Sequence, residues 1–226
     1  MTLLLFDIDG TLLQVNGTTR TAIEHSMTEV TGCPISTEGV AFSGRTDPAI
    51  FRDILEANDV APNDGLLQTV LDAYVETALN TIRPEDVKIL PGASALLSSL
   101  KTREDSHLGL VTGNVKPVAY HKLKMVGLTD YFSVGAFGSD HSNRSKLPAL
   151  ALHRASVYTG HSFQMTQTLV IGDTQPDIQC ARDAGARSIA VCTGRHTYEE
   201  LARHTPDLLL ETLPAYDTFE KQVFGV

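Results

Sequence analysis

The chain has 226 residues and a formal net charge of -9; it is long for one domain and short for two full ones, so a core domain carrying an insert fits its length. Its 42% hydrophobic and 20% charged residues suit an ordinary globular core and exclude global disorder. The acidic balance argues against a nucleic-acid or anionic-membrane surface, but it leaves room for a small anionic substrate at a local positive site. Cys33, Cys180 and Cys192 are odd in number, far apart and without a CxxC pair, which points to free thiols rather than a disulfide framework or a zinc site. No run is long enough to span a membrane. The five residues between Met1 and Asp7 hold no basic n-region, so no signal peptide is expected and the protein is placed in the cytoplasm by default.

Residues 3–6 are an apolar run of strand length leading into Asp7-Ile8-Asp9-Gly10-Thr11. Residues i and i+2 of a strand share a face, so Asp7 and Asp9 come together at its carboxyl end, and two negative charges so close demand a counter-charge. A divalent cation that prefers hard oxygen ligands, Mg²⁺, meets that demand. One carboxylate can then be a nucleophile and the other a proton carrier. Taken alone, the pair is equally a strand ending in a polar turn.

Residues 13–17 read as a connector. Ala22, Ile23, Met27 and Val30 then follow helical spacing, with Gly32 and Pro34 as a stop signal. Thr46 is placed to cap a second helix, with Pro48 in its first turn and Ile50, Phe51, Ile54 and Leu55 on one face. Asp64 is placed to cap a third, running through Leu67, Val70, Leu71, Tyr74, Val75 and Leu79 and ending at Arg83-Pro84. Residues 15–88 are therefore expected to be all-helical, with hinges at 13–17 and 88–92.

From residue 90 strands and helices alternate. A helix passes through Leu96, Leu97 and Leu100, and a strand over 108–111 ends in Thr112-Gly113-Asn114. A helix over 117–126, a short strand within 131–137 and a helix over 147–158 follow. A buried-type strand over 168–171 ends in Gly172-Asp173-Thr174; then come a helix over 178–184 and strands over 188–191 and 208–210. This alternation predicts a parallel sheet with helices on both faces. Ligands in such sheets sit at the carboxyl ends of the strands, where each of these polar clusters falls.

Together, Asp7-Ile8-Asp9-Gly10-Thr11, Thr112-Gly113-Asn114 and Gly172-Asp173-Thr174-Gln175-Pro176-Asp177 resemble the motifs of the haloacid-dehalogenase-like superfamily of phosphohydrolases, over nearly the whole chain. The helical insert is similar to the small cap of the phosphoglycolate-phosphatase-like branch. The resemblance implies an α/β fold: a Rossmann-like doubly wound parallel sheet core over 1–14 and 89–226, with a small all-helical cap domain over 15–88 inserted after the first strand. It implies a Mg²⁺-dependent phosphatase that acts on a small phosphorylated metabolite, a phosphoglycolate-like monoester, through an aspartyl-phosphate. In that chemistry Asp7 attacks phosphorus, and Asp9 protonates the leaving oxygen and then deprotonates the hydrolytic water. Thr112 and the amides of Gly113 and Asn114 hold the transferring oxygens. The carbon–halogen dehalogenases of the superfamily lack the second aspartate, so Asp9 argues for phosphoryl transfer. Asp7, Asp173 and the backbone carbonyl of Asp9 are the implied Mg²⁺ ligands, and Asp177 is implied to orient a basic residue. Hydrolysis of pyrophosphate or a nucleotide, phosphomutase activity, and non-catalytic binding of a phosphate or partner on the same core stay open.

The family places its basic residue, usually Lys before Pro, ahead of the helix preceding the fourth strand. Here the segment reads Asn143-Arg144-Ser145-Lys146-Leu147-Pro148, with no Lys-Pro. Arg144 falls closer to the expected place; Lys146 is the usual residue type but is expected inside the helix, and both stay open. In Phe42-Ser43-Gly44-Arg45-Thr46-Asp47-Pro48, Arg45 is either a ligand for an anionic group on the substrate or an exposed residue of a capping loop.

Overall fold

Leu3, Leu4, Leu5 and Phe6 are wholly buried, because the run they form is the central strand of a sheet covered on both faces. The computed structural model describes residues 1–225. After β1 (Thr2–Phe6) come β2 (Leu13–Val15), three helices α1 (Thr18–Thr31), α2 (Asp47–Ala57) and α3 (Asp64–Thr81), and β3 (Val87–Ile89). The alternating part follows: α4 (Ala93–Lys101), β4 (Ser106–Val111), α5 (Lys116–Met125), β5 (Val134–Ala136), α6 (Leu147–Thr159), β6 (Thr168–Gly172), α7 (Gln175–Ala184) and β7 (Arg187–Val191). The chain ends with α8 (Tyr198–Ala202), β8 (Leu208–Leu210) and α9 (Tyr216–Val223).

The large sheet has the order β5-β4-β1-β6-β7-β8, and its strand pairs are all parallel. Leu4 and Phe6 of β1 join Leu108, Leu110, Leu169 and Ile171 in one core. Leu3 and Leu5 join Val111 and Val170 in another. This is the two-residue strand period with both faces buried. Helices α4 and α5 supply Leu96, Leu97, Val118 and Leu123 to the first core, whereas α6 and α7 supply Leu147, Ala151, Cys180 and Ala181 to the second. Each fully buried Leu or Phe of β1 contributes about 1.5–3 kcal/mol. The register sets Phe6 opposite both Leu110 and Ile171, so β4 and β6 run one residue past β1 and the three strands deliver their next residues to one edge.

Helices α1–α3 lie between β2 and β3. Their buried faces are Ala22, Ile23 and Met27; Ile50, Phe51, Ile54 and Leu55; and Val70, Leu71, Tyr74 and Ala78. The segments expected as connectors instead pair as an antiparallel ribbon, with Leu13 opposite Ile89 and Val15 opposite Val87. Strands of three residues are too short to show a hydrophobic period. Two caps also differ from expectation. Asn63, not Asp64, accepts the amide of Leu66 at the start of α3, and Asp64 is the first helical residue. Thr46 occupies the N-cap position of α2 without a side-chain cap bond, because its hydroxyl donates to the carbonyl of Ser142 at 2.7 Å. Helices α8 and α9 had no counterpart in the periodicity.

Candidate active site

Asp7 follows β1 directly and is buried; its amide donates to the Ile171 carbonyl at 2.9 Å, which continues the parallel ladder one step beyond the strand. Asp173 follows β6 and is equally buried. Between them Gly10 turns the chain with φ +86°, and a Cβ there would lie 2.3 Å from Asp173 Oδ2, so only glycine fits. The Thr11 hydroxyl donates to Asp173 Oδ1 at 3.3 Å.

The segment ahead of α6 forms a single 3₁₀ turn over Arg144–Lys146, and this turn sends the two basic residues in opposite directions. Arg144 is 8% exposed, with Nη2 3.1 Å from Asp7 Oδ1 and 2.5 Å from Asp177 Oδ1. Its buried Nε has no partner among the described residues. Lys146 is exposed and the structure does not bring it to Asp7. Asp177 lies in the first turn of α7, where Thr174 and Asp177 form a capping box; Oδ2 accepts from the Thr174 amide and hydroxyl while Oδ1 faces Arg144. Both oxygens of Asp177 are thus committed to orienting and neutralising other groups.

Oxygens of Asp7, Asp173 and Asp177 lie within 4.8 Å of one another, and one guanidinium does not balance them. Burial pushes the Asp7 carboxyl up to about 6 against the pull of Arg144, with Asp177 and Asp9 adding to the rise. Burial and repulsion from Asp177 and Asp7 push Asp173 up to about 8. For Arg144 burial works against the charge, yet Asp177 and Asp7 outweigh it and raise its pKa. A pair of hard oxygen donors with surplus negative charge fits a divalent cation such as Mg²⁺, with Asp7 and Asp173 the two side chains free to hold it.

Thr112, at the end of β4, is fully buried. Its hydroxyl oxygen accepts from Asn114 Nδ2 at 2.9 Å and lies 3.4 Å from the Asn114 amide nitrogen. Gly113 allows a close approach: a Cβ there would fall 1.9 Å from the Arg45 carbonyl and 3.1 Å from Arg144 Nη1. The Asn114 side chain, for which no role was expected beside that of its backbone amide, also donates to Asp9 Oδ2 at 2.6 Å. The residue that sequence reasoning missed completes this arrangement. Lys122 on α5 is 2% exposed, and its ammonium donates to Asp9 Oδ1 and Oδ2 at 2.9 and 2.8 Å and to Asn114 Oδ1 at 2.7 Å.

The segment between β2 and β3 packs against these groups. The Asp47 amide donates to the Gly113 carbonyl at 2.8 Å, and Asp47 Oδ2 accepts the Val115 amide at 2.7 Å, a two-point clasp between α2 and the loop after β4. Burial pushes Asp47 up to about 6, against the attraction of Lys122 and the Val115 amide. Gly44 lies where a Cβ would come within 2.5 Å of Thr174 Oγ1. The cavity measures about 250 Å³, and its lining includes Asp7, Asp9, Thr112 and Arg144 from the strand ends and Arg20, Phe42 and Arg45 from the segment between β2 and β3. Arg45 is held by an ion pair with Asp53. Arg20 stacks 4.3 Å above the Phe42 ring and donates through Nη1 to Thr37 Oγ1 at 2.8 Å. Thr19, also on the wall, has a buried hydroxyl with no partner among the described residues. Asp47, Arg20 and Thr19 carried no local signal beyond ordinary helix-start composition.

A family model described as haloacid dehalogenase-like hydrolase matches residues 4–191. The chain is 25% identical over 215 residues to a phosphoglycolate phosphatase of Nitrosococcus oceani, covering 93% of this chain and 92% of that protein. It is 26% identical over 216 residues to the pyrophosphatase PpaX of Bacillus pumilus, covering 92% and 91%. Its fold matches the crystal structure of a predicted phosphatase from Clostridium acetobutylicum with a TM-score of 0.72 at 21% identity, over 100% of this chain and 99% of that one.

Proposed function

Since the chain belongs to the haloacid dehalogenase-like hydrolases and is a phosphatase of that family, we propose that it hydrolyses a small phosphate monoester whose leaving group carries a second anionic group, of phosphoglycolate type. The observation that carries this reading is the cavity. Its lining brings the buried carboxylate and guanidinium of Asp7 and Arg144 together with two arginines from the segment between β2 and β3, Arg20 and Arg45, and with Arg195. The volume of about 250 Å³ falls just under the ~300–1,000 Å³ typical of pockets for drug-sized ligands, which suits a leaving group of a few atoms better than a nucleoside.

In the proposed reaction the phosphoryl group sits between Asp7 and Thr112, with Arg144 beside it as permanent counter-charge. An Asp7 oxygen forms the bond to phosphorus as the bond to the leaving oxygen breaks, giving an aspartyl-phosphate. Asp9 delivers a proton to the leaving oxygen. Water then attacks phosphorus, Asp9 takes its proton, and Asp7 is released. Asp7, Asp173 and the backbone carbonyl of Asp9 would hold a Mg²⁺ ion, which would supply charge neutralisation on the phosphoryl oxygens. Residues 15–88 act as a cap that opens and closes on a core of 1–14 and 89–226, and its closure excludes bulk water. No described helix is long and apolar enough to cross a membrane; that the enzyme works in the cytoplasm on a dissolved metabolite is part of the proposal.

A pyrophosphate substrate is the second reading, favoured by the similarity to PpaX and by the same two arginines, which suit a phosphate leaving group equally. Purified protein with Mg²⁺ and a panel of phosphorylated metabolites decides between them. The monoester reading expects the highest kcat/KM for a short phosphorylated carboxylic acid. Preference for pyrophosphate, or for esters with neutral leaving groups, would overturn it.

A further inference from the structure

Lys122 occupies a position that its helix pattern reserves for an apolar residue. Val118, Ala119 and Leu123 of α5 are buried beside it, and lysine is among the residues least often found fully buried. An ammonium in such a place is tolerated only with all of its donors paired. Here all three are: two to the oxygens of Asp9 and one to Asn114 Oδ1. Asn114 Nδ2 closes the ring by donating to Asp9 Oδ2 at 2.6 Å and to Thr112 Oγ1 at 2.9 Å. Asp9 therefore receives three charge-assisted or amide hydrogen bonds from one side, while its side chain stays 39% exposed on the cavity wall.

Such a network does more than fill space. A stable core does not require a lysine here, because apolar side chains replace buried ion pairs at little or no cost. What the lysine supplies is direction. It fixes the rotamer of a short carboxylate that has to meet the leaving oxygen, and it ties that carboxylate to Thr112 on the phosphoryl side. Displacement of a proton-transfer group by about 1 Å costs on the order of 10²-fold in rate.

We propose that Lys122 is a positioning residue for the acid/base step: through its bonds to Asp9 and Asn114 it aims the Asp9 carboxyl at the leaving oxygen. It acts through Asp9 and makes no contact with phosphorus. The proposal rests on the phosphatase reading above. In the step concerned, the bond between Asp7 and phosphorus forms, the bond from phosphorus to the leaving oxygen breaks, and the proton passes from Asp9 to that oxygen. In the second step the water oxygen bonds to phosphorus as the bond between Asp7 and phosphorus breaks, and a proton of that water passes to Asp9.

The test uses leaving groups that differ in their need for that proton. Wild type, Lys122→Met and Lys122→Gln are assayed with Mg²⁺ on 4-nitrophenyl phosphate, phenyl phosphate and a simple alkyl phosphate. General acid catalysis contributes ~10²–10⁴-fold, so kcat/KM of the variants should fall by roughly 10²-fold or more on the alkyl ester. It should fall by less than about tenfold on the nitrophenyl ester, whose leaving group departs without a proton. The ratio of the two kcat/KM values does not depend on how much of a variant is folded, so a partly folded variant still gives a reading. A uniform loss across the series, or no loss, overturns the proposal and leaves the phosphatase reading intact. Absence of wild-type turnover on all three esters and on a short phosphorylated carboxylic acid overturns both.

Discussion

Removing Arg144 is the perturbation whose outcome the site geometry fixes most firmly. Its guanidinium is 8% exposed and stands between Asp7 and Asp177 at 3.1 and 2.5 Å, with Asp173 close enough to feel both. Arg144→Ala leaves three buried carboxylates without their only buried cation partner among the described residues, and breaking such a pair costs about 3–5 kcal/mol. For a chain of this size each kcal/mol corresponds to ~2–4 °C, so the thermal midpoint should drop by roughly 6–20 °C. The measurement is heat denaturation followed by circular dichroism in a metal chelator, so that no cation substitutes for the guanidinium. Lys146→Ala is the control: its side chain is exposed, and such surface changes usually stay within about 0.5 kcal/mol. Phosphatase activity should follow the same split, lost in Arg144→Ala and kept in Lys146→Ala. Equal and mild effects of the two substitutions on stability and rate would refute the reasoning, because they would mean that Arg144 is not the counter-charge of Asp7.

Asp47 gives a pH prediction. Burial raises its carboxyl to about 6 in the folded protein against 3.8 for an unperturbed aspartate, so the folded state holds a proton that the unfolded state has released between those values. Its contribution is fully present below about pH 4 and is lost as pH rises through 6, amounting to about 3 kcal/mol at most. Asp47→Asn, which keeps an acceptor for the Val115 amide, should flatten stability against pH in that window relative to wild type; an unchanged slope in urea titrations would contradict the assignment. Arg20→Ala and Arg45→Ala should each raise KM by roughly 10–100-fold for a substrate with a carboxylate leaving group, the equivalent of ~1.5–3 kcal/mol for a charged hydrogen bond. They should leave KM for 4-nitrophenyl phosphate nearly unchanged, and equal shifts on both substrates would remove them from leaving-group recognition. Mg²⁺ at 100 times its Kd should stabilise the wild type by about 2.7 kcal/mol, read as a rise in thermal midpoint; the same rise in Asp173→Asn would show that the ion binds elsewhere.

The ends of the central strands were legible because a parallel strand buried on both faces is a near-continuous apolar run, and its first polar residues mark where the sheet stops. That logic found Asp7, Thr112 and Asp173, which the structure brings to one edge. It did not decide between Arg144 and Lys146, because the direction of a single 3₁₀ turn depends on what packs behind it. Lys122 was invisible for a related reason. A lysine on a helix reads as solvated surface, and only the fold shows that its side of α5 faces Asp9. Local sequence marks Asp47 only as a residue at a helix start, whereas its clasp on the Gly113–Val115 loop is a long-range contact. The ribbon of β2 and β3 and the short helices α8 and α9 span too few residues for a period to emerge.

The central claim is that Asp7 becomes covalently phosphorylated during turnover. Protein mixed with Mg²⁺ and a ³²P-labelled phosphate ester, quenched in acid within a single turnover and digested, tests it most directly. The account predicts a label that is stable to acid, labile to hydroxylamine and carried by the peptide containing Asp7, and predicts neither label nor phosphate release in Asp7→Asn. Phosphate release without a labelled peptide, or full activity in Asp7→Asn, would contradict it.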